Sequence, residues 1–319
     1  MSSVPVSGAS LDAWIVNRRP PRNRVDPLRP YLFFAEDERS SEGEIVSVNT
    51  LFLTNRECPW RCLMCDLWKN TLTDTVPAGA IPAQIEYALA RLPSSRYIKL
   101  YNSGSFFDPR AIPVADHPAI ASQLTPYERV IVESHPALIN KNSLRFRDLI
   151  PGRLEVAMGL ETVHTGVLPR LNKRMTLDQF SVAAELLRRN AIDLRVFILV
   201  KPPFLREAEA LHWAQRSLDF AFQCGASVAT LIPTRGGNGA LEALATQGDF
   251  EPPSIATLEA CLEYGLGLHQ GRVFADLWDL QRFSTCAACY EARAARLLQM
   301  NLRQTIPDRL ECHVCGGRS

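Results

Sequence analysis

Three cysteines with the spacing C-x3-C-x2-C are the residues of this chain best suited to carry out chemistry. They are Cys58, Cys62 and Cys65, and no fourth cysteine lies nearby. Three thiolates can hold three irons of a [4Fe–4S] cube, which leaves the fourth iron open for a small chelating ligand. A structural zinc ion would want four protein ligands, so this loop is a poor zinc site. The alternative interpretation is three thiols that bind nothing.

A second set of cysteines has a different spacing. Its members form two C-x2-C pairs: Cys286 and Cys289, then Cys312 and Cys315. Paired knuckles of this kind, joined by a helical segment at 291–302, predict a four-thiolate zinc site. An auxiliary iron–sulfur cluster uses the same ligands, and free thiols are a third interpretation. Cys224 and Cys261 occur singly in helical segments and are expected to be buried apolar thiols.

The composition is that of an ordinary globular protein. Of the 319 residues, 46% are hydrophobic and 22% are charged, and the net charge is +1. Such a balance gives no strong global field to recruit nucleic acid or membrane. No run is apolar enough to span a bilayer, and residues 1–13 lack the features of a signal peptide. We therefore expect a cytoplasmic enzyme without a membrane partner, whose nine cysteines serve metals rather than disulfides.

Apolar, β-branched segments alternate with helical segments along the chain. The predicted strands cover 45–54, 97–101, 129–133, 154–160, 194–200 and 227–232. Helical periodicity lies near 81–91 and is clearest at 176–190 and 207–224. Six successive βα units predict an α/β protein with a parallel sheet and right-handed crossovers. Because every predicted strand ends in polar or glycine-rich residues, the pattern indicates a partial (β/α)6 TIM-type barrel with its site at the strand ends.

The same pattern predicts three parts of the chain. Residues 1–44 form an N-terminal arm, 45–270 the partial barrel, and 271–319 a C-terminal extension that carries four cysteines. The arm contains a cluster of arginines: Arg18, Arg19, Arg22 and Arg24. These side chains could contact phosphates, and the alternative is a solvated arm.

Polar residues and a glycine follow the predicted strands and are the candidate site residues. They are Ser103, Gly104, Ser105, Glu133, His135, Glu161 and Lys201. Carbonyls and hydroxyls at 103–105 can accept hydrogen bonds from an ammonium group. Glu133 and Glu161 could bind a ribose, an amine or a cationic substrate, whereas Lys201, before two prolines, suits an anion. The alternatives are an ordinary turn, solvated rim charges and a structural histidine.

Five short segments in order carry a family resemblance. They are Ser-Gly-Ser-Phe at 103–106, Val-Glu-Ser at 132–134, Gly-Leu-Glu-Thr at 159–162, Asn-Lys at 172–173 and Lys-Pro-Pro-Phe-Leu at 201–205. Together with the cysteine loop, they resemble the radical S-adenosylmethionine (SAM) superfamily. Over about residues 45–250 the chain is similar in particular to the radical SAM subunit of archaeosine synthase and its relatives. That family is itself similar to the Elongator catalytic subunit and the methylthiotransferases.

The resemblance implies a reaction. In that family a partner attaches lysine to the nitrile of a 7-cyano-7-deazaguanine base in tRNA. The radical subunit then splits the lysine carbon–nitrogen bond and leaves a formamidine. By this resemblance the chain is a C–N lyase of tRNA modification that generates a 5′-deoxyadenosyl radical. The implied partners are a reductant such as flavodoxin or ferredoxin, tRNA, and a tRNA-binding protein.

The resemblance also implies roles for individual residues. Cys58, Cys62 and Cys65 hold the [4Fe–4S] cluster, and its open iron chelates SAM. The residues expected to bind SAM are Ser103, Gly104, Ser105, Glu133, Glu161 and Lys201. The catalytic candidates are Glu133, His135 and Lys201.

The chain also departs from the related enzymes. It has no acetyltransferase-sized segment, no cysteine before Cys58, and no room for an appended RNA-binding domain. Two other functions are therefore kept open. One is a radical SAM enzyme that acts on a small metabolite or peptide, and the other is a non-enzymatic iron–sulfur or zinc scaffold.

Overall fold

The computed structural model describes residues 4–5 and 8–316. The predicted arm and extension therefore lie partly outside the described residues, at 1–3, 6–7 and 317–319. The helices of the described part are α1 (Gly8–Val16), α2 (Ala80–Leu89), α3 (His117–Gln123), α4 (Lys141–Leu149), α5 (Leu177–Arg189), α6 (Glu207–Gln223), α7 (Ala240–Ala245), α8 (Ile255–Gly267) and α9 (Ala287–Arg303). Among these helices, none combines the length and apolar content that a bilayer crossing requires.

The strands form one curled sheet, which is a half-barrel. They are β1 (Leu32–Arg39), β2 (Ile45–Phe52), β3 (Tyr97–Tyr101), β4 (Arg129–Glu133), β5 (Arg153–Glu161), β6 (Asp193–Val200), β7 (Val228–Pro233) and β8 (Arg272–Ala275). Their order in the sheet is their order in the chain. β1 is antiparallel to β2, and all later neighbours are parallel. The predicted α/β partial barrel is thus confirmed.

The six predicted strands correspond to β2 through β7. β1 and β8 were not predicted, and they extend the sheet into the segments assigned to the arm and the extension. The boundaries at 44 and 270 stay predictions.

Each strand sends alternate side chains to opposite faces of the sheet. In β6, Leu194, Val196 and Ile198 pack into the main hydrophobic core between the sheet and the helices. Arg195 and Phe197 point the other way, into the lumen of the half-barrel, because successive strand residues alternate. The lumen therefore has its own set of side chains, which the core does not use.

The lower lumen is filled by a buried network of ion pairs. Arg195 on β6 contacts Glu38 on β1 and Glu155 on β5, at 2.6 Å in each case. Lys99 on β3 also contacts Glu38, at 2.7 Å. Each of these charges has a partner, as burial requires. Because these side chains occupy the lower lumen, a ligand can enter only above them, at the carboxyl ends of the strands.

Helix α9 covers the outer edge of β8 through two side-chain amides. Gln304 accepts a hydrogen bond from the Val273 amide and donates to its carbonyl, both at 2.8 Å. Asn301 does the same with Ala275, at 2.8 and 2.9 Å. A side-chain amide carries the same donor and acceptor as a peptide group, so the two residues replace a neighbouring strand.

Candidate functional site

The predicted cluster loop follows β2 directly and brings its three thiols together. Burial raises the pKa of Cys58, Cys62 and Cys65 to about 12 in each case. The thiols also act on one another. The negative charge of one thiolate raises the pKa of a neighbouring thiol in each of the three cases. Three half-buried thiols whose charges act on one another suit a [4Fe–4S] cluster, which would bind them as thiolates.

The backbone of this loop is tied to other strand ends. The Leu63 amide donates to the Leu171 carbonyl at 2.9 Å. The Asn238 side chain donates to the Leu63 carbonyl at 2.7 Å, and Trp68 Nε1 donates to the Cys65 carbonyl at 3.1 Å. The segments after β5 and β7 therefore hold the backbone of the loop in place.

Glu57 anchors the start of the loop and engages the predicted basic arm. Its carboxylate contacts Arg19 at 2.7 Å, Arg61 at 3.0 Å, and Arg22. Two of the arginines that were candidates for phosphate contact, Arg19 and Arg22, thus also hold the loop in place. Phosphate contact by the basic arm stays a prediction.

The predicted glycine turn lies against the cluster loop. Glu133, at the end of β4, accepts hydrogen bonds from the amides of Asn102 at 2.6 Å and Gly104 at 3.4 Å. Burial raises the pKa of Glu133, although these amides favour the carboxylate. A Cβ added to Gly104 would lie 3.4 Å from the Cys58 Cβ. Glu133 therefore shapes a turn that lies against Cys58, one of the predicted cluster ligands.

His135 lies under the cluster loop with both ring nitrogens engaged. Nε2 donates to the Lys173 carbonyl at 3.0 Å, and Nδ1 accepts from the Ala137 amide at 3.1 Å. Its backbone amide donates to Ser105 Oγ at 2.9 Å, and Trp60 stacks on the ring at 3.8 Å. Burial and the nearby Lys173 charge lower the pKa of His135 to about 4. The imidazole is therefore neutral and oriented.

Glu161 at the end of β5 forms a buried ion pair with Lys173. The register of β5 shifts between Gly159 and Glu161, and Glu161 has a φ of 66°. Such irregularities re-aim side chains and are concentrated at functional sites. Burial disfavours the Lys173 charge, but Glu161 and the thiols of Cys62 and Cys58 raise its pKa overall. A carboxylate and an ammonium thus face the cluster loop.

Lys201 directly follows β6, at the predicted strand end. Its ammonium contacts Glu207 at 2.7 Å, Glu251 at 3.1 Å and the Pro252 carbonyl at 3.2 Å. Within the described residues these contacts do not join it to Glu161. The cation beside Glu161 is Lys173, which was not selected, although its position was part of the family resemblance. The ligand and catalytic roles of the strand-end residues stay predictions.

Tyr31 is a second residue that the sequence reasoning missed. Its hydroxyl forms a 2.8 Å hydrogen bond with Ser103 Oγ, and its ring lies 5.7 Å from that of Phe52. Burial raises the pKa of Tyr31. Ser103 itself has a φ of 54°. The segment predicted to be an arm therefore supplies a phenol to the glycine turn.

The four terminal cysteines converge as predicted. Their sulfurs all lie within 4.8 Å of one another. The Cys286 and Cys312 sulfurs are 3.9 Å apart, and those of Cys289 and Cys315 are 3.7 Å apart. A tetrahedral ion with metal–sulfur bonds of about 2.3 Å would separate its ligands by about 3.8 Å. The geometry thus fits one ion, and its identity stays a prediction.

Two curated proteins that are similar to this chain are named archaeosine synthase subunit beta, the family that the sequence resembles. No protein-family model matches the chain. Archaeosine synthase subunit beta of Methanosarcina acetivorans is 25% identical over 232 residues, which cover 69% of this chain and 67% of the relative. The subunit beta of Thermococcus kodakarensis is 27% identical over 127 residues, covering 38% and 39%. An uncharacterized protein of Methanocaldococcus jannaschii is 24% identical over 250 residues, covering 73% and 68%.

Solved structures share the fold. Elp3 of Methanocaldococcus infernus gives a TM-score of 0.51 at 13% identity, over 73% of this chain and 60% of that one. Methylornithine synthase PylB gives 0.50 at 12% identity, over 76% and 69%. The chain thus spans only part of the Elp3 structure that it matches. The resemblance to archaeosine synthase and to radical SAM proteins is confirmed.

Proposed function

We propose that this chain is a radical SAM enzyme that splits a carbon–nitrogen bond in a lysine-bearing 7-deazaguanine base of tRNA. One observation supports the enzyme assignment above the others. Three half-buried thiols, the Gly104 turn and the buried Glu161–Lys173 pair lie together at one end of a half-barrel. The relatives named archaeosine synthase subunit beta support the substrate class.

The cysteine loop would hold the iron–sulfur cluster. When bound, the cluster and SAM supply a 5′-deoxyadenosyl radical that takes a hydrogen atom from the substrate. Cys58, Cys62 and Cys65 would bind three irons, and the fixed backbone around Leu63 would keep their spacing. Trp60, stacked on the neutral ring of His135, would shield the loop from water.

The Glu161–Lys173 pair would receive the amino acid end of SAM. A zwitterion needs a carboxylate for its ammonium and a cation for its carboxylate. Glu161 and Lys173 offer both signs, buried beside the loop of Cys62. Without the ligand they neutralise each other, so neither charge is buried alone. The glycine turn at 103–105, shaped by Glu133, would add backbone and hydroxyl acceptors.

Two further assignments belong to this proposal. The terminal cysteine site would hold a structural Zn²⁺, since its sulfur spacing suits one tetrahedral ion. The partners would be a reductant such as flavodoxin or ferredoxin, tRNA, and a tRNA-binding protein that presents the RNA.

Reconstituted protein, a reductant, the tRNA-binding partner and RNA carrying lysine-modified deazaguanine test the function directly. We expect SAM cleavage together with a formamidine-bearing base, detected by nucleoside mass spectrometry. Cys62→Ala is the inactive control. Protein that cleaves SAM but leaves this RNA unchanged would refute the substrate and favour a small metabolite or peptide. Protein that never cleaves SAM would favour the non-enzymatic scaffold.

A further inference from the structure

The upper lumen contains half-exposed side chains on strands that are otherwise buried. In β6, Phe197 is half-exposed, whereas the three residues on either side of it along the strand are buried. Phe52 and Tyr101, the last residues of β2 and β3, are also half-exposed, and so are Thr230 and Ile232 on β7. All five lie on the lumen face by strand alternation. Apolar groups that stay accessible on the concave face of a sheet are available to contact a ligand.

The aromatic rings on this face form a continuous row. Ring centroids are 5.8 Å apart for Phe52 and Tyr101, and 6.1 Å apart for Tyr101 and Phe197. The second contact crosses the lumen, because β3 and β6 are not neighbours in the sheet. Phe34 on β1 lies 6.1 Å from Phe52. Four rings from four strands therefore line one space above the ion pairs.

The row reaches the predicted SAM turn. Tyr31 contacts Phe52 through its ring and Ser103 through its hydroxyl. A ligand stacked on the row would thus lie next to the turn at 103–105. Such proximity is what hydrogen abstraction by a SAM-derived radical requires.

Glu36 supplies a polar group on the same lumen face of the sheet as the aromatic rings. It lies on the same face of β1 as Phe34, two residues further on. Lys99 donates to its Oε1 at 2.9 Å, and Thr50 donates to that same oxygen. Within the described part of the chain, no donor contacts Oε2. The side chain as a whole is 37% exposed, so among the described residues Glu36 keeps an acceptor oxygen without a protein partner on a partly accessible side chain.

We propose that Phe34, Phe52, Tyr101 and Phe197 form the stacking surface for the substrate base. Glu36 Oε2 accepts hydrogen bonds from the amide and amine N–H groups on the edge of that base. Enzymes that act on an extruded base hold it by stacking on apolar side chains and by hydrogen bonds to its Watson–Crick edge. The inference rests on the proposed function and names the binding subsite of its substrate.

Neighbouring residues on the opposite face of β1 give matched controls. Phe33 packs outside the lumen, against Tyr87 of α2, and Asp37 is exposed. The test measures binding of 7-deazaguanosine to the cluster-loaded, SAM-bound protein by equilibrium dialysis. We expect Phe34→Ala and Phe197→Ala to weaken binding about tenfold or more, since each removes a stacking ring. Phe33→Ala should bind as the wild type does.

The role of Glu36 is tested by selectivity. Glu36→Ala should reduce the preference for 7-deazaguanosine over 7-deazaadenosine, which lacks the amide N–H. Asp37→Ala should keep that preference. Thermal melting checks that each variant folds, and Phe34→Leu, which keeps much of the volume without the ring, replaces Phe34→Ala if needed.

Two negative results have different meanings. If the wild type converts the modified RNA and the lumen variants bind and convert as well as it does, the stacking surface is wrong and the function stands. If the wild type cleaves SAM but neither binds the nucleoside nor converts the RNA, the proposed function fails and this inference fails with it.

Discussion

Glu161 and Lys173 form their buried ion pair across a glycine. A Cβ on Gly159 would fall well inside the contact distance of both Glu161 Oε1 and Lys173 Nζ. The glycine is therefore needed for close approach of two side chains rather than for its own backbone angles. The ion pair therefore depends on two local features of β5 beside the cluster loop: the register shift between Gly159 and Glu161, and the lack of a side chain at Gly159.

Gly159→Ala is expected to weaken SAM binding about tenfold or more, since it displaces a buried charge pair. Binding can be followed by calorimetry on the cluster-loaded protein. Gly267→Ala is the control, because an added Cβ there meets no atom within 4 Å. Equal SAM affinity in the two variants would contradict the assigned role of the pair.

Lys173→Met and Glu161→Gln should each reduce SAM affinity, because each leaves a buried partner charge uncompensated, at a cost of about 3–5 kcal/mol. Lys201→Met should change SAM affinity by no more than about twofold, since the carboxylates that Lys201 contacts, Glu207 and Glu251, are not part of the Glu161–Lys173 pair. If Lys201→Met lowers activity, the loss should appear in the rate of RNA turnover rather than in SAM affinity. A larger loss of SAM affinity in Lys201→Met than in Lys173→Met would restore the original expectation for Lys201.

Cys62→Ala should abolish both the visible absorbance of the iron–sulfur cluster and SAM cleavage. The reason is that two remaining thiolates cannot hold the cube as three do. Cys224→Ala is the matched control, because that thiol contacts Ser181 rather than the loop. Retained SAM cleavage in Cys62→Ala would show that the loop is not the cluster site.

Cys312→Ser should lower the melting temperature while the cluster at the first loop still assembles. Metal binding contributes its free energy to folding, so a lost ligand weakens the fold around α9. Metal analysis of the wild type should give about one zinc ion per chain. Extra iron in place of zinc would instead identify an auxiliary cluster.

His135 should stay neutral at pH values where an ordinary histidine is protonated. Its pKa falls from 6.5 to about 4, so the unfolded chain takes up the proton first as the pH drops. The stability that this residue contributes is complete above pH 6.5 and is lost as the pH falls toward 4. Histidine NMR of the iron-free protein, from about pH 7.5 to 5.5, should show an unchanged Nε2–H tautomer. Titration near the ordinary value would contradict the buried geometry.

The sequence predicted the strands whose residues are mostly apolar and β-branched, which is a pattern that can be read locally. β2 through β7 are apolar and β-branched, and their bounds differ from the predictions by at most two residues. β1 does not follow this pattern, because its last four residues, 36–39, are all charged and two of them, Glu36 and Glu38, point into the lumen. Their partners, Lys99 and Arg195, lie on β3 and β6, and a single sequence does not reveal such pairing. β8 has only four residues and gives little signal.

The sequence predicted which residues lie at the strand ends that form the site. It did not predict which of their side chains contact one another. Ser103, Glu133 and Glu161 lie where parallel strands end, so their convergence follows from topology. Which cation meets Glu161 depends on the bulge in β5 and on the size of Gly159, and neither is visible in strand patterns. Tyr31 reaches the site because β1 runs antiparallel to β2, a pairing that was not predicted.

The two amides that cover β8 also set an order of events during synthesis. β8 leaves the ribosome before Asn301 and Gln304, so its Val273 and Ala275 peptide groups are first unpaired. An open strand edge invites pairing with another chain. The edge stays open until α9 docks on it. Two of the four clustered thiols, Cys286 and Cys289, lie at the N-terminus of α9. A metal ion bound by these thiols would help to dock α9, and so would shorten the time during which the edge is open to aggregation.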